Sequence, residues 1–344
     1  MSKNSRTPAL LTAVLISGAM MFASATQAAA QIETRTLRLS GSNSKTHPSS
    51  IGAEQFAKIL GEKTKGKFTV KVYLNGVLGP DLQGISALQG GTLDMMYGTP
   101  NLLAGNVKEF AAFDLPFLFN SYEEADAIID GPIGQQLFDK LEQRGIIGLT
   151  YLEFGFRHFH NRGEPIRTAE DFVGKKLRVQ PSAVYVDLVN ALGANATPMS
   201  YTEVFPALDQ GAIDGLSNPL INILDGKYYD ISKNLTLTYH VYQPAWIGMS
   251  KKTWDKLSDE EKALVKEAAR EAALHQRKIA RDMAEESVGK LKDLGMVVTI
   301  LPDEEMMKMR EKVKPVVEKH TLNIGPEFVG ALQDHIEAYR SGKR

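Results

Sequence analysis

Two arginines stand inside short apolar stretches, Arg157 in Gly155-Phe-Arg-His-Phe-His160 and Arg178 in Lys176-Leu-Arg-Val179. A planar guanidinium fork matches a carboxylate through two parallel hydrogen bonds. The same pattern fits an exposed strand arginine or an internal salt bridge, so at this level both readings stand. His158 and His160 form an HxH pair on one face of the same strand, with Phe156. A zinc site needs three or four supported ligands, and His47 and His240 are the available additions. The pair reads instead as ordinary strand polarity beside a cleft, and no metal is expected. Asp94, Glu153 and Asp214 interrupt apolar strands, but no two form an identifiable acid–base couple. Gly61-Glu-Lys-Thr-Lys-Gly-Lys-Phe68 fits the first seven places of a phosphate-binding loop. It has Phe68 where a hydroxyl must hold magnesium, and it closes a helix rather than opening one, so it reads as a basic surface turn. GxGxxG, GxSxG and HExxH are absent. With no cysteine, disulfides, thiolate metal sites, iron–sulfur clusters and cysteine nucleophiles are excluded. No catalytic residue and no cofactor is expected.

The elements that carry these residues belong to a globular chain. Of 344 residues, 43% are hydrophobic and 24% charged, which excludes disorder and fibrous repeats. Forty basic residues face 41 acidic ones, so the basic excess of a nucleic-acid binder is missing. Residues 1–30 read as a signal peptide: Lys3 and Arg6, then an apolar run over 9–23, then small residues before a cut after Ala30. The run is shorter than the roughly 20 residues of a comfortable membrane span. Loss of Lys3 and Arg6 leaves 38 basic residues against 41 acidic, a net charge of −3. No later stretch is apolar enough to cross a bilayer. The expected product is periplasmic and not membrane-inserted.

Strand and helix patterns alternate along the rest. Strands are expected over 36–40, 68–74 and 93–97, with helices over 49–65 and 81–89 between them. The order βαβαβ predicts a sheet with helices on both faces. The Phe- and Pro-rich connection over 101–120 reads as core packed under a long loop. Helix broken at Gly131-Pro132 spans 122–144, and strands follow at 146–152 and 155–160. A second α/β unit then shows a short strand over 176–179, a helix over 185–192, a capping box at Ser200–Glu203 and a loop over 214–219. Ser258 to Glu261 caps a run to about residue 294, roughly 50 Å of helix, longer than a small domain is wide. Further helices are expected over 303–320 and 325–339. No linker is visible, which implies that the chain passes between two domains more than once.

Several motifs together closely resemble the DctP-type periplasmic binding subunit of tripartite ATP-independent (TRAP) transporters. They are Gly174-Lys-Lys-Leu-Arg-Val-Gln-Pro-Ser182, Leu192-Gly-Ala-Asn-Ala-Thr-Pro-Met199, Tyr201-Thr-Glu-Val-Phe-Pro-Ala-Leu208 and Gly211-Ala-Ile-Asp-Gly-Leu-Ser-Asn-Pro219. Gly76-Val-Leu-Gly79, Gly91-Thr-Leu-Asp94 and Arg157 with Asn161 extend the likeness over essentially the whole exported chain. The resemblance implies a two-domain α/β periplasmic binding fold of the Venus-flytrap kind, with a long helix spanning both domains. It implies domain I at 31–154 and 245–283, and domain II at 155–244 and 284–344. It implies that Arg178 clamps the substrate carboxylate, that Arg157 lines the site, that Asn218 contacts the acid and that Tyr201 lines the pocket. His240 is expected near the cleft, and Thr99 and Asp81 reach the ligand from the first domain.

The implied function is capture of a small organic acid and delivery to the membrane permease subunits. Two arginines and one asparagine suit a C4-dicarboxylate, the favoured substrate, while Tyr201, Asn218 and Thr99 also suit a sugar acid such as a uronate. Two other classes use the same residues. One is a periplasmic lyase or hydrolase built on His158, His160 and a carboxylate. The other is a sensory protein that binds acids and signals to a membrane receptor.

Overall fold

The computed structural model describes residues 32–342; the expected signal peptide lies outside them. In chain order come β1 (Arg35–Ser40), α1 (Pro48–Lys63), β2 (Phe68–Tyr73), α2 (Asp81–Gly90) and β3 (Met95–Gly98). Two 3-10 segments, Pro100–Leu103 and Lys108–Asp114, precede α3 (Tyr122–Ile129) and α4 (Pro132–Glu142). Next are β4 (Ile146–Asn161), β5 (Lys176–Val179), α5 (Ala183–Ala191), β6 (Asn195–Pro198), α6 (Tyr201–Asp209), β7 (Gly215–Pro219) and α7 (Leu220–Asp225). The chain ends with β8 (Asn234–Ser250), α8 (Lys251–Trp254), α9 (Asp259–Asp293), β9 (Val297–Ile300), α10 (Asp303–Ile324) and α11 (Pro326–Arg340). The strands join in the order β2-β1-β3-β8-β4-β7-β5-β6, with β9 added beside β8.

Two features differ from the sequence expectation. The strands expected at 146–152 and 155–160 are one strand, β4, which runs antiparallel to the equally long β8 and ties both halves of the sheet together. Period-two alternation hides this because the pairing slips at three places: Gly148/Thr150, Glu153/Gly155 and Arg157/Phe159. Gly155 sits at φ 103°, a conformation that glycine adopts without steric cost. Opposite the middle slip stands Pro244, which has no N–H to give. There Gln276 of α9 supplies both partners to the Glu153 backbone, accepting from its N–H at 2.8 Å and donating to its carbonyl at 2.7 Å. The second difference is β7. The segment expected as a loop is a fully buried strand between β4 and β5, so Asn218 is held by a sheet.

Apolar packing divides between the two halves. Residues of β1–β3, the N-terminal part of β4 and the C-terminal part of β8 share two cores, one with α1 and the first part of α9, the other with α3 and α4. Phe110, Phe113, Leu115 and Phe119 of the expected Phe-rich connection fill the second of these. Two further cores join Phe159, β5, α5, α6 and β7 to the start of α10 and the far end of α9. The resemblance grouped 284–344 with the second half. Phe328, Val329, Leu332 and Ile336 of α11 instead pack into a first-half core.

α9 is the strap between the halves. Its Ser258–Glu261 capping box forms as expected, acidic residues occupy its first turn and Lys290 and Lys292 its last, in agreement with the helix dipole. Ala268, Ala269, Ala272 and Ala273 give it a narrow buried face. A Cβ at Gly52 of α1 would come within 2.8 Å of Gln276, so glycine there allows the close crossing.

Candidate functional site

β5 explains how an arginine comes to be buried. Leu177 and Val179 fill a core, β6 and β7 pair on either side, and Arg178 between them is 1% exposed. Its Nε and Nη2 donate to the Met199 carbonyl at 3.1 and 2.8 Å. Its Nη1 is buried with no partner among the described residues. The Nδ2 of Asn218, on neighbouring β7, is also buried without a partner among them. Such groups are rare in folded proteins, because an unpaired buried donor costs about 1–3 kcal/mol.

Arg157 lies on β4 where that strand slips against β8. Its Nε donates to Ser217 Oγ at 2.9 Å, its Nη1 to Gln243 Oε1 at 2.5 Å and its Nη2 to the Ser217 carbonyl. The guanidinium also lies over the Tyr185 ring at 5.1 Å. Each terminal nitrogen carries a second hydrogen that these contacts do not use. Neither arginine forms a salt bridge to a carboxylate among the described residues. Burial lowers the pKa of both, and the repulsion of Arg157 helps bring Arg178 down to about 10.

Arg157, Asn218, Tyr201, Thr99 and Asp81 line one cavity, together with Ser42, Asn43, Gln180, Asn222 and Gln243. Arg178 lines the adjoining recess, whose walls share Asp81, Gln180 and Tyr201 with the cavity. The Ser200–Glu203 capping box sets the start of α6 and so places Tyr201. Asp81 opens α2 and accepts from Ser42 Oγ. Burial raises its pKa, while Ser42 and the charge of Arg178 oppose the rise. His240 does not line the cavity. It stacks on Phe159 and stands one contact behind Arg157, with its Nε2 3.0 Å from Ser217 Oγ.

Most of the other sequence candidates have structural duties, while His160 is buried with neither ring nitrogen partnered among the described residues. His158 accepts from the Thr238 N–H at 3.1 Å, and His47 caps α1. Among the described residues no three His, Asp or Glu gather as a metal site. Glu153 accepts from Arg281 at 2.7 Å and from the Tyr242 hydroxyl at 3.2 Å. Asp94 accepts from Arg38 and Thr253, and Asp214 from the Lys176 N–H. The amides Gln180, Gln243, Asn43 and Asn222 were missed, since uncharged side chains leave little mark on a sequence. Gln180 had one signal: it lies two places after Arg178 and so shares its face.

A cleft with two buried cations that form no salt bridge among the described residues, and a wall of amides and hydroxyls around Asp81, defines a two-domain α/β binding protein for small anions. The chain belongs to the DctP family, described as bacterial extracellular solute-binding protein, family 7, which it matches over residues 39–323. A TRAP periplasmic solute-binding protein from Ochrobactrum anthropi is 45% identical, with TM-score 0.81 over 90% of this chain and 97% of that one. The sugar acid binding protein DctPAm from Advenella mimigardefordensis, in complex with galactonate, is 38% identical, with TM-score 0.87 over 89% and 99%. The C4-dicarboxylate-binding periplasmic protein DctP of Rhodobacter capsulatus is 32% identical over 290 residues, 83% of this chain and 86% of that one. Proteins of this family are periplasmic in TRAP transporters, where they bind small organic acids and work with membrane permease subunits. No helix among the described residues is long and apolar enough to cross a membrane.

Proposed function

We propose that this chain is the exported receptor of a TRAP transporter, that it captures a hydroxylated carboxylic acid of the sugar-acid class and that it passes this acid to the permease. The observation that carries the reading is the pair of buried, unpartnered donors, Arg178 Nη1 and Asn218 Nδ2. Both ask for an acceptor-rich anion. The wall beyond them favours hydroxyls over a second carboxylate. Asp81 accepts from a hydroxyl and repels a carboxylate, and Asn43, Asn222 and Thr99 add neutral polar groups. Galactonate in the Advenella relative is an acid of this class. The C4-dicarboxylate reading keeps one observation in its favour: the unused hydrogens on the terminal nitrogens of Arg157.

The two lobes in this reading are 32–154 and 245–283 for the first, and 155–244 with the far part of α9 for the second; the separate apolar cores support it, with Phe156 and Tyr242 packing across the boundary. In the open cleft Arg178 is hydrated, and an arriving carboxylate pairs with Nη1 beside Asn218. The first lobe then brings Thr99 and Asp81 over the acid. Exclusion of water lowers the local dielectric and strengthens the ion pair. The acid shifts the balance only through its preference for the closed form.

A thermal-shift screen against aldonates, uronates and C4-dicarboxylates, followed by calorimetry, tests this. An acid at 100 times its Kd adds about 2.7 kcal/mol of stability. A clear shift with D-galactonate or a related sugar acid and none with succinate is expected. The reverse order would overturn the assignment of class.

A further inference from the structure

Gln180 and Gln243 sit in the cavity wall without a role in the reading above, and their amides are not free to face either way. Arginine only donates. Gln243 must therefore present its oxygen to Arg157 Nη1, which turns its Nε2 toward Gln180 Oε1 at 2.6 Å. That oxygen also accepts from Asn101 Nδ2 at 3.2 Å, so the Gln180 amide nitrogen faces Thr99 Oγ1 at 3.3 Å. Reversal of either amide would set donor against donor or oxygen against oxygen. Arg157, Gln243, Gln180, Asn101 and Thr99 are all buried, so water does not relieve a wrong pairing. The hydroxyl of Thr99 is thus occupied as an acceptor, and its own hydrogen has no acceptor among the described residues.

The opposite side of Arg157 obeys the same rule. Ser217 Oγ accepts from Arg157 Nε, so its hydrogen goes to His240 Nε2, and His240 Nδ1–H meets Thr238 Oγ1 at 2.7 Å. This needs a neutral imidazole, which burial and the charge of Arg157 enforce.

We infer that Gln180 and Gln243 are positioning residues that carry a one-way relay of hydrogen bonds from Arg157 to Thr99, completed only when the cleft closes and leaving the Thr99 hydroxyl as a donor to an oxygen of the bound acid. This rests on the cleft reading above and adds to it. Thr99 and Asn101 belong to the first lobe, and Gln180 to the second. Opening parts them, while Gln243, on the same lobe as Gln180, keeps the Gln180 amide turned as Arg157 requires. Closure brings Thr99 onto the amide nitrogen held ready for it. Asp81 then accepts from the acid while Thr99 donates to it.

The chain has no cysteine, so Lys58→Cys and Asp209→Cys give two unambiguous spin-label sites on exposed positions of opposite lobes. Affinity and dissociation rate for D-galactonate and succinate are measured with the closed fraction, in the unmodified chain and in Gln180→Met, Thr99→Val, Thr99→Ser and the double variant Gln180→Met/Thr99→Val. Gln180→Met is expected to weaken the bound acid by about 10–100-fold, mainly through faster dissociation, and to lower the closed fraction. Thr99→Val should match it, Thr99→Ser should restore binding, and the double variant should be far less than additive. A Gln180→Met protein with a lower melting temperature but unchanged affinity, dissociation rate and closed fraction would reduce the relay to packing. Full additivity in the double variant would equally overturn it. Arg178→Ala in the same assay separates the two readings: lost binding there beside a silent Gln180→Met refutes the relay alone, and unchanged binding there refutes the carboxylate clamp. If the unmodified chain binds neither acid, the substrate assignment falls, and an acid-free closed fraction unmoved by Gln180→Met refutes the relay as well.

Discussion

Two pairs of arginines stand in two regions, and the regions treat them in opposite ways. On the α9 side, Arg277 forms a two-point pair with Asp130 at 2.5 and 2.7 Å, and Arg281 pairs with Glu153 and Asp126. Burial works against both charges there, but the acids outweigh it and raise both pKa values. In the cleft, Arg157 and Arg178 meet carbonyls, a hydroxyl and an amide, and burial lowers both. A guanidinium that only holds structure comes with its acid. One that waits for a solute is buried without it, and the missing negative charge describes the solute.

The largest expected effect tests the cleft side. Arg178→Ala should cost about 2–5 kcal/mol of acid binding in calorimetry, the usual loss when one partner of a buried charge pair is removed. Arg178→Lys should bind poorly too, because a point charge replaces a fork. The next tests the α9 side. Arg277→Met should lower unfolding free energy in urea by about 1–3 kcal/mol, a discounted figure because Asp130 is half exposed, and should leave acid affinity unchanged. A variant that lost affinity there would blur the division between regions. Asp81→Asn removes the negative charge that faces Arg178 across the cleft while keeping an acceptor oxygen. It should shift preference from sugar acids toward succinate by about tenfold, near 1.4 kcal/mol, read as a ratio of Kd values.

The subtlest test is a pH profile. Asp114, hydrogen-bonded to Ser182 and near Arg157, has its carboxyl pushed from 3.8 up to about 7, chiefly by burial. The native state then holds a proton that the unfolded chain releases, so Asp114 makes stability fall as pH rises between about 4 and 7. Asp114→Asn should remove that fall. A profile identical to that of the unmodified chain would mean that Arg157 keeps Asp114 ionised and so has a carboxylate counterion after all.

Much of this arrangement was legible in the sequence. Arg178 between Leu177 and Val179 was visible as a cation in an apolar strand. The capping boxes at Ser200 and Ser258 located Tyr201 and the long helix because their chemistry is local. β4 was not legible as one strand, since Gly155 and three slips break its period and its continuity depends on β8, some ninety residues later. Gln180 and Gln243 were silent for another reason. Their orientation follows from Arg157 through contacts that no spacing rule encodes. The packing of α11 on the first half was likewise a tertiary choice.

The slipped pairing of β4 and β8 has a consequence for how such genes vary. Side chains on a strand alternate between faces, so one codon gained or lost between Gly155 and Arg157 would turn Arg157 away from the cavity. The count of residues between the slips is as much a part of solute recognition as the guanidinium. Changes in length are tolerated only where no paired strand has to keep that count.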